Sequence, residues 1–323
     1  MAKLSTKGYI GVGRQSAFGT PVAPTAGLFM RYLSESIKNE QENLNGQEGG
    51  FGRYIVDSYK TKNSVKGELS CYARPDIIGF LLAMTLGTDT YAAGTPSVHT
   101  ITPAVPELFT VERAIDDGTT LVERFQDCVV NDLTIDGESN QPIRASASII
   151  GSKGVVQVAA STPTYEVNQP FMFFNGAVYT LDGGATVQIS KYSLKISNNL
   201  DEWYGSSMTP AALIDKLLTI DLSFTLKFED AVHYKKVYYG ASTAIVDTIA
   251  SGSFDADVSY GAGATLRKLK LTMLNVKHIA APVQLAGSAA PIMQECVATG
   301  IKVSPDELMT ALVHNTFTAD YNT

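Results

Sequence analysis

The residue types that could do chemistry are concentrated first in residues 8–19, "GYIGVGRQSAFG". Glycines at this density hold phosphates when their backbone N–H groups converge at the start of a helix. The necessary patterns are missing here. A Walker loop closes its glycine arc with Gly-Lys-Ser/Thr, and a dinucleotide fingerprint reads G-x-G-x-x-G between a buried strand and a helix. Gly11-Val12-Gly13 is followed instead by Arg14-Gln15-Ser16 and then by the proline-broken "TPVAPTAG". The reading left by this elimination is a glycine-flexed, partly extended arm.

The other chemical groups are scattered. His99, His233, His278 and His314 show no H-x-x-x-H or H-E-x-x-H spacing, so nothing local supports a metal. Cys71, Cys128 and Cys296 are odd in number, far apart and form no C-x-x-C pair; buried free thiols in a reducing compartment are expected. There is no G-x-S-x-G elbow for a serine nucleophile. Asp132, Asp136 and Glu138 gather about a turn, where acids either bind calcium or are simply solvated. Asp116-Asp117-Gly118 reads as a turn. The sequence therefore predicts no enzyme, no cofactor and no resident metal.

The chain has 323 residues, 45% of them apolar, enough for one large domain or two ordinary ones with real cores. With 25 Lys and Arg against 32 Asp and Glu the net charge is −7, which disfavours tight wrapping of nucleic acid. The longest nearly apolar run, residues 77–87, is half of the roughly 20 residues that span a bilayer, and no signal-like apolar core opens the sequence; no membrane binding is expected.

Most of the elements that would position these groups are strands. Val, Ile, Leu, Thr, Tyr and Phe alternate with polar residues at 65–72, 129–135, 187–196 and 218–228. Helices are predicted at 75–86, opened by Pro75 and stopped by Gly87; at 229–239, stopped by Gly240; at 305–313, with Ser304 as cap and Glu307 completing a capping box; and a small one at 210–217. The order strand, loop, strand, helix, strand, strand, strand occurs twice, and "QPIRASASIIG" echoes "APIMQECVATG" as "LSESIKN" echoes "SLKISNN". The expected fold is mainly β: two tandem β-sandwich or half-barrel domains, each with a flanking short α-helix. The predicted boundaries are an N-terminal arm at 1–27, a first domain at 28–162 with a long loop at 39–62, a second at 163–316 and a C-terminal tail at 317–323. Asp182-Gly183 marks a hairpin turn just after the seam.

Two features are unusual for a self-contained β-protein. The 39–62 segment is longer than loops inside compact domains usually are, and it carries Phe51, Arg53, Tyr54, Ile55 and Val56. The two ends carry Tyr9, Arg14, Phe18, Phe317 and Tyr321, aromatic content that suits docking on another surface. Folding back on their own domain is the alternative.

"GYIGVGRQSAFGTPVAPT", "GGFGR", "ARPDIIGFLLAMTLG", "FTVERAIDDG" with "ERFQDCVVNDLTIDGE", and "FNGAVYTLDG" with "VQISKYSLKISNNL" together resemble the tail tube (major tail) proteins of long, non-contractile-tailed bacteriophages. The resemblance covers most of the chain and implies a structural virion subunit, made in the host cytoplasm and polymerised as stacked rings around a channel. Its implied partners are further copies of itself, the tape-measure protein and DNA within the lumen, and terminator and tail-tip proteins. A duplicated member implies three chains per ring with pseudo-sixfold symmetry. On that reading Tyr9, Arg14, Phe18, Phe51, Arg53, Tyr54, Ile55, Val56, Phe317 and Tyr321 are the expected ring-stacking contacts, and Glu123, Asp127, Asp132 and Asp221 are expected among lumen acids that keep DNA from sticking. A single-ring terminator of the same fold and a non-viral β-sandwich binding module are the alternatives.

Overall fold

The computed structural model describes residues 7–46, 57–116, 121–157, 159–166, 169–184, 186–240, 242–247, 249–283 and 291–322. Strands β1 (Tyr9–Arg14), β2 (Phe29–Met30), β3 (Tyr32–Glu35), β4 (Lys38–Asn45) and β5 (Ser58–Tyr72) lead to helix α1 (Pro75–Leu86). A hairpin of β6 (Gly87–Ala92) and β7 (Ser97–Pro103) follows, then β8 (Phe109–Ile115), β9 (Leu121–Glu138), β10 (Arg144–Gly151) and β11 (Lys153–Val156). The second half runs β12 (Ala177–Leu181), β13 (Ile189–Ser197), a small pair β14 (Asp201–Trp203) and β15 (Ala212–Ile214), then β16 (Thr219–Lys227) and helix α2 (Val232–Tyr238). It ends with β17 (Ser251–Tyr260), β18 (Arg267–Ala280), β19 (Met293–Gly300) and β20 (Thr310–Asn315). The chain is mainly β, as its period-two patterning requires.

The two halves share one topology. In the first, the hydrogen-bonded order is β1, β8, β9, β10, β5 and then β3 with β4. In the second it is β12, β17, β18, β19, β16, β13, again antiparallel throughout. Irregularities coincide too. When Leu69 is matched to Phe224, the register shift between Tyr32 and Ser34 on β5 falls on the shift between Ile189 and Lys191 on β16. When Ala147 is matched to Cys296, the shift opposite Asn131 of β9 falls on the one opposite Ile279 of β18. Bulges are specific, inherited features of a strand pair, so two in common mark two copies of one unit. Of the two sequence echoes, the first is in structural register over its described residues, 142–151 with 291–300. The other is displaced by three residues: Ser36-Ile37-Lys38 occupies the place of Ser193-Leu194-Lys195.

The helices differ because their surroundings differ. Every residue of α1 is buried, so apart from Asp76 and Thr85 it is apolar on all sides, and it packs against β9, β7 and β20. Its end is fixed by Gly87 at φ 94°, whose N–H reaches the Ala83 carbonyl and whose absent side chain leaves room for the Val105 carbonyl. Helix α2 is three residues shorter at its start than the alternation predicts and has no fully buried residue.

Four expectations are corrected. Residues 305–313 are not helical: the capping pattern is a local preference, and it loses to alternate burial of Met309, just before β20, and of Ala311, Val313 and Asn315 within it, a strand hydrogen-bonded on both edges by β18 and β7. Residues 210–217 hold strand β15, not a helix. The described parts of the 39–62 loop are the facing strands β4 and β5, with the tip outside the described residues. Within the 1–27 arm, β1 is an integral strand, the counterpart of β12, with Ile10 and Val12 fully buried. Its glycines give close approach rather than freedom: a Cβ on Gly11 would lie 2.7 Å from the Pro24 Cβ, and one on Gly13 2.6 Å from the Ala23 carbonyl.

Candidate functional site

The two repeats join through one strand pair. Residues 132–138 of β9 run antiparallel to residues 191–197 of β13, so β4, β5, β10, β9, β13, β16, β19 and β18 make one continuous sheet. Alternation gives it two unlike faces. One carries Val65, Leu69, Ala147, Leu133, Leu194, Leu222, Phe224 and Cys296, all buried beneath α1 and the outer strands. The other is polar, with Lys66, Glu68, Asp132, Asp136, Arg144, Lys191, Lys195, Asp221 and Glu295 projecting from neighbouring strands; at its β5 end Glu202 of β14 meets it, 3.2 Å from Lys66. Lys195 sits 3.2 Å from Asp132, whose carboxylate also accepts a hydrogen bond from Ser197 at 2.6 Å. Basic and acidic side chains thus interleave on this face.

The candidate residues separate into several groups. Asp132 and Asp221 lie on the polar face. Asp127 does not: it is buried, and accepts hydrogen bonds from Gln15, Ser152 and the Gly19 amide. Glu123 is off that face as well, paired with Arg113 beside Glu35. Tyr9 is buried, its hydroxyl donating to Glu112 at 2.7 Å, and Arg14 is paired with Glu107 at 3.1 Å. Phe18 remains exposed. Phe51, Arg53, Tyr54, Ile55 and Val56 lie outside the described residues. Beside them the hairpin carries a facing pair the sequence reading missed, Leu44 and Tyr59, 61% and 63% exposed. The signal was there in the apolar residues interrupting a charged run, but pairing them needs the register.

Phe317 and Tyr321 are taken up by their own chain. Their rings stack at 4.7 Å, the Tyr321 hydroxyl donates to the Asp76 carbonyl at 2.9 Å and receives from Asn315 at 2.7 Å, and the Tyr321 amide donates to Asp89. Asp89 in turn meets His99 Nδ1 at 2.7 Å, and His99 Nε2 meets the Phe317 carbonyl. Gly79 makes room, since a Cβ there would lie 2.7 Å from the Tyr321 hydroxyl.

With the shared topology of the two halves and the polar sheet face in place, comparison with known families adds that residues 5–300 match the model of the phage tail tube protein. The chain belongs to the phage tail tube protein family. No curated protein matches it. It is accordingly a structural virion component whose family assembles into a tube.

Among its described residues this tail tube protein does bring together one group with metal-ligand chemistry, which the sequence spacing concealed. Asp182, from the turn after β12, His233 of α2 and His278 of β18 place ligand atoms within 4.8 Å of one another. The site is already served by a cation, because the Lys236 ammonium pairs directly with the Asp182 carboxylate. Burial raises the Asp182 pKa, but the His278 imidazole and Lys236 outweigh it and hold the carboxyl at about 2. Desolvation lowers His233. The arrangement is a polar clasp that holds α2 on its sheet, where α1 uses apolar contact.

The tail tube protein also buries an acid. Asp76, in the first turn of α1, is pushed up to about 7 by desolvation and by the charge of Glu166, against the opposing Thr316 hydrogen bond and Arg267; its Oδ1 has no hydrogen-bond partner. A carboxyl raised above its unfolded value binds its proton more tightly when folded, so stability falls as pH rises from about 4 to about 7 and is level above. Asp76→Asn is expected to raise the melting temperature by several degrees at pH 8 and by little at pH 5, measured by scanning calorimetry. A gap independent of pH would show that Asp76 does not titrate in this range.

Proposed function

We propose that the protein is the tail tube subunit of a long, non-contractile phage tail, forming stacked rings of three chains around a channel for DNA and the tape-measure protein during genome delivery. The observation that carries this reading is the pair of repeats joined edge to edge in one sheet, with the apolar face covered and the polar face open. Such a join, repeated by the same rotation, closes into a barrel with no exposed edge.

Width favours three chains. Each repeat supplies four strands to the continuous sheet, and strands are spaced about 4.8 Å apart, so six repeats give a backbone diameter of about 37 Å. Side chains on the inner face reduce the clear width by about 10 Å, leaving about 27 Å for a double helix about 20 Å across. Two chains leave about 14 Å, too narrow for a duplex. The polar face, with Asp132 and Asp221 among its acids and Lys195 between them, is the proposed lumen lining; its alternating signs give phosphates no continuous track to bind. Phe18 and the β4–β5 hairpin, including the segment with Phe51, Arg53, Tyr54, Ile55 and Val56, supply the ring-to-ring contacts. Terminator and tail-tip proteins cap the two ends, and assembly from soluble subunits takes place in the host cytoplasm.

Electron microscopy of the purified protein tests this. End-on images are expected to give a sixfold rotational power spectrum with a weaker threefold component, since the two repeats are alike but not identical. Pure sixfold symmetry with six chains per ring overturns the three-chain count. Rings that never stack favour the terminator alternative.

A further inference from the structure

The internal join supplies the geometry of the join between chains. In the first repeat, the C-terminal part of β9 is paired on its outer edge by β13, which opens the second repeat. By the shared bulges, Asp132 corresponds to Ala280 and Ile135 to Val283 on β18 and its continuation, while Ser197 corresponds to Glu40 and Leu194 to Ile37 on β3–β4. Both counterparts lack the neighbour that their equivalents have. Among the described residues, β3 and β4 pair only with β5, and residues 280–283 have no strand on the edge that β13 covers in the first repeat. One chain thus presents both halves of a contact whose completed form it already contains.

We propose that residues 280–283 of one chain pair antiparallel with residues 37–40 of the next, in the register Ala280 to Glu40, Ala281 to Asn39 and Val283 to Ile37. This rests on the tube reading above and adds to it the partner strands and their alignment. The occupant is a second copy of this chain, because the mate for each open edge is the counterpart of the strand that fills it in the internal join. The contact is heterologous, so identical steps close a ring rather than a two-fold dimer. Edge residues fit the role: Glu40 is exposed in the isolated chain and takes the position of Ser197, whose hydroxyl reaches Asp132 at 2.6 Å across the internal join, while the Asn39 side chain turns to its own chain and accepts from the Gly154 amide at 2.7 Å.

The test is a cysteine pair, Glu40→Cys with Ala280→Cys. The native thiols do not interfere, since Cys71, Cys128 and Cys296 are free and buried. Facing residues of an antiparallel pair lie within disulfide range, and Asp132→Cys with Ser197→Cys is the matched control, which forms its disulfide within one chain. Oxidation of assembled Glu40→Cys/Ala280→Cys protein is expected to give a covalent ladder ending at the closed trimer on non-reducing gels, with neither single variant cross-linking beyond background. Cross-linking of Glu40→Cys with Val283→Cys in its place overturns the register. Tubes in the microscope with no ladder overturn the pairing and leave the tube reading standing, whereas absence of any assembly by the unaltered protein overturns both. If the double variant does not fold, hydrogen exchange on the unaltered protein decides: protection of residues 37–40 and 280–283 is expected to rise at least tenfold on assembly, and unchanged exchange there overturns the proposal.

Discussion

Cutting the β4–β5 hairpin back, so that Glu42 joins Lys62 through an Asn-Gly turn, is expected to leave folded, soluble protein that no longer forms tubes. Glu42 and Lys62 face each other in the register, so a two-residue type I′ turn closes them without moving residues 37–40 or the core. What is lost is the outer part of β4 and β5, with the exposed Leu44 and Tyr59, together with residues 47–56. Burying one such side chain on a neighbouring ring is worth about 1.5–3 kcal/mol. In the proposed three-chain ring the hairpins act together, and linked contacts multiply rather than add, so their joint removal is expected to cut tube elongation by several orders of magnitude. Sedimentation and negative-stain images check it: single rings or free chains are the expected product. A milder variant, Leu44→Lys with Tyr59→Lys, keeps the backbone and is expected to have the same direction of effect. Tubes of normal length from both variants refute the role of the hairpin.

Ending the chain after Thr316 is expected to destabilise the fold by about 3–5 kcal/mol, the range for removing a large buried aromatic. Tyr321 is 2% exposed and lies against Phe80 and the ring of His99. Its loss opens a cavity over α1 and strips partners from Asn315 and from the Asp89–His99 pair, and buried polar groups left unmet add to the cost. Tyr321→Phe separates the two contributions, because it keeps the ring and loses only the hydroxyl; a decrease of about 1–2 kcal/mol is expected. Chemical denaturation of the unassembled protein measures all three. If truncation leaves the midpoint unchanged, the tail is not docked on its own core in the free chain and is available to a neighbour, as the sequence first suggested.

The same tail illustrates where local reading fails. Aromatics near a chain end signal docking, but composition cannot say on what; only the groove between α1 and β7, lined by Asp76, Asp89 and His99, identifies the surface as the chain's own. The opening glycines misled in a similar way. Their number suggested freedom, whereas the structure uses Gly11 and Gly13 to let residues 23–25 press against a buried strand. The 305–313 segment carries a sound helix start, yet two flanking strands with open hydrogen-bonding edges outweigh one capped turn.

Elements whose cause lies within about a dozen neighbouring residues were determined by the sequence alone: the mainly β class, α1 to the residue with its proline start and glycine stop, the Asp182-Gly183 turn, and the doubled order of strands. Tertiary structure alone decided the long-range pairings. These are the continuation of β9 into β13, the burial of Asp127, the gathering of His233 and His278, and the two open edges at residues 37–40 and 280–283. The physical reason is that a strand's preference fixes its two faces but not its edges: alternation tells which side chains go inward, while the partner along each edge is chosen by the rest of the fold.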